Sequence, residues 1–310
     1  MEAGWAQAIE PGLRLVVAPN PSAFTGPGTN TWILGDAEAA VIDPGPDDAA
    51  HLEAILRALA PGGRVAHIVV THAHRDHSGL APALAARTGA PVWGFGRPEA
   101  GRSPTMQRLA AEGLSGGGEG VDTGFAPDRC LGDGDTLRGA GWCLDALHTP
   151  GHFAGHLCLA WGDRLFSGDH VMEWASTLVS PPDGDMAAYM ASLDRLSRRR
   201  WSRLYPGHGA PVDDPAARIA ELAAHRRSRE RAILHALAVG PQDLAALTAQ
   251  VYADTPATLH GAAARNALAH LVALCERGLV TADPALSLAS TFRLAQILPH
   301  GSGRPPRTLL

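Results

Sequence analysis

Short apolar runs alternate with amphipathic stretches through the first two thirds of the sequence. Residues 39–42 read as a strand that ends in the turn Asp43-Pro44-Gly45-Pro46. Asp47 or Asp48 then caps a helix whose apolar face is Leu52, Ile55, Leu56 and Leu59. Residues 65–70 form a mostly apolar run, the pattern of a buried strand, and a helix of small residues follows over 78–87. A short strand is expected at 91–93, and Ser115 to Gly120 is a glycine-rich loop. Four more strands are expected at 136–138, 142–147, 157–161 and 164–166, with Gly162-Asp163 as the hairpin turn between the last two. Asp185 caps a helix carrying Met186, Tyr189, Met190, Leu193 and Leu196 on one face, and Leu204-Tyr205 is a last brief strand. Two halves of this kind predict an α+β fold: a four-layer αββα sandwich with functional loops along one edge of its sheets.

After Pro215 the pattern turns almost wholly helical. One long helix is expected over 216–238, a second over 243–250 and a third over 258–277, with Leu268, Leu271, Val272 and Cys275 inward. Gly278 ends the third, and 279–281 pairs with 291–294 as a small hairpin, which makes a winged-helix pattern. The expected division is therefore a sandwich unit at 1–215, a linking helix at 216–238, a winged-helix-like unit at 239–298 and a disordered tail at 299–310.

Composition changes this picture little. The 310 residues carry a net charge of −5, and every basic side chain except histidine is arginine. No global basic field advertises nucleic-acid binding. One stretch departs from that balance: from Arg195 to Arg231, ten arginines stand against Asp213, Asp214, Glu221 and Glu230. Cys130, Cys143, Cys158 and Cys275 show no metal-type or redox-type spacing and read as ordinary thiols. The first ten residues lack the basic start and apolar block of a signal peptide, and no apolar run is long enough to span a bilayer. A cytoplasmic protein without membrane partners is the expectation.

The chemistry is concentrated after the 65–70 strand. His72-Ala73-His74-Arg75-Asp76-His77 places four metal-type ligands within six residues, and neutral imidazole and carboxylate are ligands that zinc favours. A metal site draws ligands from several loops, and three further strand ends supply them. These are Thr149-Pro150-Gly151-His152, Ser167-Gly168-Asp169-His170 and Pro206-Gly207-His208-Gly209. His148, His156 and His170 lie in the same loops and read as supporting residues. His51, His67, His225, His235, His260, His270 and His300 read as surface or helix residues.

Four motifs in this order, HxHxDH, TPGH, SGDH and PGHG, resemble the metallo-β-lactamase superfamily over the first 215 or so residues. The resemblance implies a first metal held by His72, His74 and His152, a second by Asp76, His77 and His208, and a bridge by Asp169. It also implies catalytic roles for Asp76 and Asp169, and a hydroxide shared by two zinc ions per chain, with manganese or iron as substitutes. Gly26-Pro27-Gly28-Thr29-Asn30-Thr31 and the stretch from Val251 to Arg277 resemble the β-lactamase-like protein 2 branch, which adds a C-terminal winged helix and includes endoribonucleases of single-stranded RNA.

That branch and the arginine stripe put a phosphodiester substrate, of single-stranded nucleic-acid type, first. A small-molecule thioester or ester, as in the similar glyoxalase II, comes second. A winged-helix DNA-binding regulator is the non-enzyme reading, disfavoured by a nearly neutral C-terminal segment; a homodimer formed through the wing is an alternative use of that unit. Trp174 and Thr177, on the loop after Asp169, are the expected substrate contacts.

Overall fold

The computed structural model describes residues 4–115 and 120–296. The glycine-rich loop falls partly, and the 299–310 tail wholly, outside the described residues. Seven strands form the first sheet in sequence order: β1 (Ala6–Glu10), β2 (Leu13–Val17), β3 (Asn30–Leu34), β4 (Glu38–Ile42), β5 (Arg64–Val69), β6 (Val92–Gly94) and β7 (Arg129–Cys130). Strands β1 to β4 pair antiparallel, and β4 to β7 run parallel. Helices α1 (Ala49–Arg57), α2 (Arg75–Ser78), α3 (Ala81–Thr88) and α4 (Pro104–Ala111) fall between the parallel strands.

The second sheet runs β12-β11-β10-β9-β8, built from β8 (Thr136–Gly139), β9 (Trp142–His148), β10 (Leu157–Trp161), β11 (Arg164–Gly168) and β12 (Arg203–Pro206). Three apolar layers separate the four structural ones. Val16, Ile33, Val41, Ile55, Ile68 and Leu84 join the first sheet to α1 and α3. Leu15, Trp32, Ile42, Leu144, Leu159 and Phe166 lie between the sheets. Cys158, Leu165, Val171, Leu193, Leu204 and Ile219 join the second sheet to α5 (Met186–Ser197) and α6 (Pro215–Val239). The αββα sandwich read from the residue pattern is the fold.

The capping residues behave as their chemistry dictates. The Asp48 carboxylate accepts from the His51 N–H at 2.7 Å, and the Asp185 carboxylate from the Ala188 N–H at 3.1 Å. The helix expected over 78–87 starts at Ala81 as α3, with Pro82 in its first turn, where a missing N–H costs nothing, and the short α2 precedes it. Strands β1 to β3 and helix α4 are additions to the sequence reading, although Ser103-Pro104 carries a legible start signal for α4.

Helix α6 spans two cores. Ile219, Leu222 and Ala223 pack on the second sheet, whereas Ile233, Ala236 and Leu237 pack with Met106 and Leu109 of α4 against the C-terminal elements. Those are α7 (Leu244–Val251), α8 (His260–Glu276) and a small sheet of β13 (Gln242–Asp243), β15 (Thr291–Leu294) and β14 (Val280–Asp283). Residues 267–274 of α8 are buried without a break, so more than two turns are covered on every side. Among the described residues, no helix is long and apolar enough to cross a membrane.

Candidate metal centre

Four loops leave the C-terminal ends of β5, β9, β11 and β12 and meet over one edge of the two sheets. The first carries His72, His74, Asp76 and His77, the second His152, the third Asp169 and the fourth His208. Within the second sheet β9 and β11 both run antiparallel to β10, and β12 runs parallel to β11, so their three exits share a side. Glycines make the approach possible. A Cβ on Gly207 would lie 2.4 Å from Asp169 Oδ1 and 2.7 Å from His77 Cε1, so no larger residue fits there.

All seven side chains are brought together. Ligand atoms of His72, His74 and His152 lie within 4.8 Å of one another, as do those of His72, His77 and Asp169 and those of Asp76, His77 and His208. His72 Nε2 is 2.8 Å from His74 Nδ1 and 3.3 Å from His152 Nε2, and the last two are 3.1 Å apart. In the other group, His208 Nε2 is 3.3 Å from both His77 Nε2 and Asp76 Oδ2. Asp169 reaches across, with Oδ1 3.5 Å from His77 Nε2 and Oδ2 at 3.4 Å from His208 and 3.7 Å from His152.

The outer ring nitrogens identify which lone pairs point inward. His152 Nδ1 donates to Leu178 O at 2.7 Å, His208 Nδ1 to Gly28 O at 3.2 Å and His77 Nδ1 to Asp43 Oδ2 at 2.9 Å. The Thr71 hydroxyl donates to Asp43 Oδ2 at 2.8 Å and so accepts from His72 Nδ1 at 3.0 Å. Each of these four rings engages Nδ1 outside and turns Nε2 toward the centre, where it is bare once a cation takes the place of a second proton. In the His72–His74–His152 triangle at most one proton remains for three nitrogens. Asp169 Oδ1 has no hydrogen-bond partner although it is buried. Converging lone pairs and an unpaired carboxylate oxygen repel one another unless a cation sits among them, so the donor set fits divalent metal ions.

The electrostatics differ between the two groups. Burial, reinforced by His152, holds His74 down to about 3 and keeps its ring neutral. Burial also lowers His72, with His77, His74 and His152 adding to it. For His208 burial works in the same sense, but the Asp169 carboxylate outweighs it and raises the ring to about 9. Burial would raise Asp169 too, yet His208 and His77 hold it well below the usual carboxylate range.

Of the three histidines expected to support the ligands, only His156 contacts one. His156 Nε2 accepts the Asp169 backbone N–H at 3.2 Å, and His156 Nδ1 bonds Thr149 Oγ1 at 3.0 Å. His148 stacks on Phe95 with ring centroids 4.1 Å apart, and His170 packs on Tyr189. None of the three belongs to a ligand group. His51 and His270, expected at the surface or on a plain helix face, are instead buried, because their helices are covered where they sit. Asp43, read only as a turn residue, is a hub: Oδ1 accepts the Thr71 N–H at 2.8 Å while Oδ2 takes Thr71 Oγ1 and His77. The 26–31 motif is explained by Asn30, whose Nδ2 donates to Pro206 O at 3.0 Å and Gly209 O at 2.8 Å and so fixes the His208 loop.

A cavity of about 350 Å³ opens onto the cluster. Phe24, Met172, Trp174 and Leu178 form one wall, and Tyr252, Leu259, Ala262 and Ala263 of the C-terminal unit form the other. Trp174 is half-exposed and packs over Gly26 and Gly209 at the rim. Thr177 is buried yet lines the cavity, and its hydroxyl meets His152 Nδ1 at 2.9 Å. The contribution of Tyr252, Leu259 and Asn266 to this wall was missed, although all three lie in the stretch that carried the branch resemblance.

The family profile described as "Metallo-beta-lactamase superfamily" matches residues 24–208, well over half of the chain. The chain belongs to the metallo-β-lactamase superfamily. A second profile, "Beta-lactamase associated winged helix domain", matches residues 244–285. The chain is 31% identical to a β-lactamase-like protein 2 homolog of Caenorhabditis elegans, over 86% of this chain and 84% of that protein. It is 27% identical to an atrochrysone carboxyl ACP thioesterase of Aspergillus chevalieri, over 82% of this chain and 75% of that one. A β-lactamase domain protein from Burkholderia ambifaria has the same fold with a TM-score of 0.77, 25% identity and 94% of each chain covered. The protein is therefore a metal-dependent hydrolase of the metallo-β-lactamase fold with an attached winged helix.

Proposed function

We propose that the protein hydrolyses a thioester or ester whose acyl group is small and apolar. The observation that carries this reading is the cavity, a pocket of limited volume whose walls are an apolar loop on one side and the C-terminal unit on the other. Its volume suits a small organic group. Thioesterases among the relatives point the same way.

His72, His74 and His152 would hold one zinc ion, and Asp76, His77 and His208 the other, with Asp169 between them. Two such ions supply a water made acidic enough to attack at neutral pH and a Lewis acid for the carbonyl oxygen. Asp76 and Asp169 orient the attacking oxygen and offset the charge of the pair. Thr177 holds the His152 ring, and Trp174 flanks the entering acyl group.

A phosphodiester substrate is the second reading, favoured by the likeness to β-lactamase-like protein 2. The arginine stripe gives it less support than its charge suggests, because half of its ten arginines are paired with carboxylates. Arg195 pairs with Asp133, Arg198 with Asp194, Arg203 with Asp213, Arg218 with Glu221 and Arg229 with Asp254. Reading of DNA is weaker still, since α8, the helix that a winged helix would insert in a groove, is buried on all sides over residues 267–274.

Parallel assays on octanoyl-N-acetylcysteamine, S-lactoylglutathione, bis-p-nitrophenyl phosphate and a short single-stranded RNA test the reading. The octanoyl thioester should turn over fastest. Turnover of the phosphodiester or RNA alone overturns it. Metal analysis of the purified protein should give two zinc ions per chain, and one tightly held iron would sink the dinuclear centre.

A further inference from the structure

Besides lining the cavity, the C-terminal unit reaches the centre through a chain of hydrogen bonds. Asn266 of α8 accepts two hydrogen bonds on Oδ1, one from the Val179 N–H at 3.0 Å and one from Arg226 Nη1 at 3.2 Å. Arg226 of α6 donates its other terminal nitrogen to Thr177 O. Residues 177–179 are thus gripped at both ends by side chains from α6 and α8. Between those grips lie the two groups that hold His152: Leu178 O at 2.7 Å and Thr177 Oγ1 at 2.9 Å from Nδ1.

We propose that Asn266 and Arg226 are positioning residues through which the winged-helix unit sets the orientation of the His152 ring. Residues 177–179 belong to no helix or strand, so nothing in the secondary structure fixes them. Their backbone is instead held by hydrogen bonds from neighbouring elements, as buried polar backbone requires. Arg226 is 1% exposed, and among the described residues no carboxylate pairs with it. Its charge is met by the Thr177 and Asn266 oxygens and by the face of the Tyr189 ring 5.3 Å away. A flat guanidinium can serve two acceptors at a fixed angle, which an ammonium cannot do. With α8 packed inward, the unit completes the scaffold around His152.

The inference rests on His152 being a metal ligand. Its test is cobalt(II) titration of metal-depleted full-length protein, followed by the visible d–d absorption. Wild type should bind two ions per chain. Asn266→Ala should bind one of them about 10- to 100-fold more weakly, the scale of losing an outer contact to a metal ligand, with a changed band shape at saturation. Asn266→Asp keeps the acceptor oxygens and should restore affinity to within about threefold. If Asn266→Ala fails to fold, Arg226→Lys takes its place, with the same weakening expected. Wild-type affinity and spectrum in Asn266→Ala, or in Arg226→Lys, overturn the inference, as does an Asp variant as weak as the Ala one. Wild type that takes up no cobalt sinks the metal reading itself, and so separates the two failures.

Discussion

Buried histidines occur at both ends of this molecule, and they behave in opposite ways. At the sheet edge, His72, His77, His152 and His208 each give one ring nitrogen to an outer acceptor and turn the other toward a shared point. In the helical unit, His270 is as deeply buried, but neither of its ring nitrogens has a hydrogen-bond partner among the described residues. Burial lowers it to about 3, and Arg226, His225 and Arg229 push in the same direction. Burial alone therefore does not make a histidine functional. What separates those four rings from His270 is the outer acceptor, which fixes the tautomer and aims the other nitrogen; His170, beside Asp169, lacks one as well and is no ligand.

The largest effect expected of this contrast is at Asp169. Asp169→Ala should lower kcat by at least about a thousandfold, the scale of removing one strong charge-stabilising group from an active site. Its melting temperature should stay close to that of wild type, and a variant with near-normal turnover would show that the two ligand groups do not share this carboxylate. Next comes Thr177→Val, which keeps shape and burial but removes one contact to His152. Metal affinity measured by competition with a chelator should fall about tenfold, while the fold is retained.

The smallest effect is expected at the other end. His270→Leu removes two unpaired polar atoms from an apolar setting, so turnover should not change and stability at pH 8 should rise by about 1 kcal/mol. The pH dependence gives a sharper test. The unfolded chain takes up a proton at His270 near its ordinary value of about 6.5, whereas the folded one refuses it until about 3. Wild-type stability should thus be complete above about pH 6.5 and decline as pH falls toward 3. The Leu variant lacks that part of the decline, and urea melts at pH 8 and pH 4.5 should show its advantage growing. An equal advantage at both values would mean that His270 is protonated in the folded chain.

The centre was legible because its ligands sit in short contiguous motifs, each just after an apolar run that announces a strand. Val69 and Val70 before His72, or Leu204-Tyr205 before His208, carry both the element and the chemistry in a few residues. What was not legible depends on distance along the chain. Asp43 looks like a turn residue because its partners Thr71 and His77 lie 28 and 34 positions away. His270 looks like a helix-face residue because its neighbours on α6 become visible only once α8 is packed. Strands β1 to β3 are five residues each and gain their identity from pairing across the sheet, not from local pattern.

Asp43 also limits what can be altered near the centre. Its backbone has φ 51°, a left-handed conformation uncommon for any residue but glycine, while its two oxygens serve three donors around His72 and His77. Glycine would suit the backbone and leave all three donors unserved. Asparagine tolerates the conformation but replaces one acceptor oxygen with an NH2 group facing donors, and glutamate has the oxygens on too long an arm. In a saturation library at this position, wild type should stand alone. An unremarkable aspartate beside a proline is thus as poor a place for redesign as any of the histidines it supports.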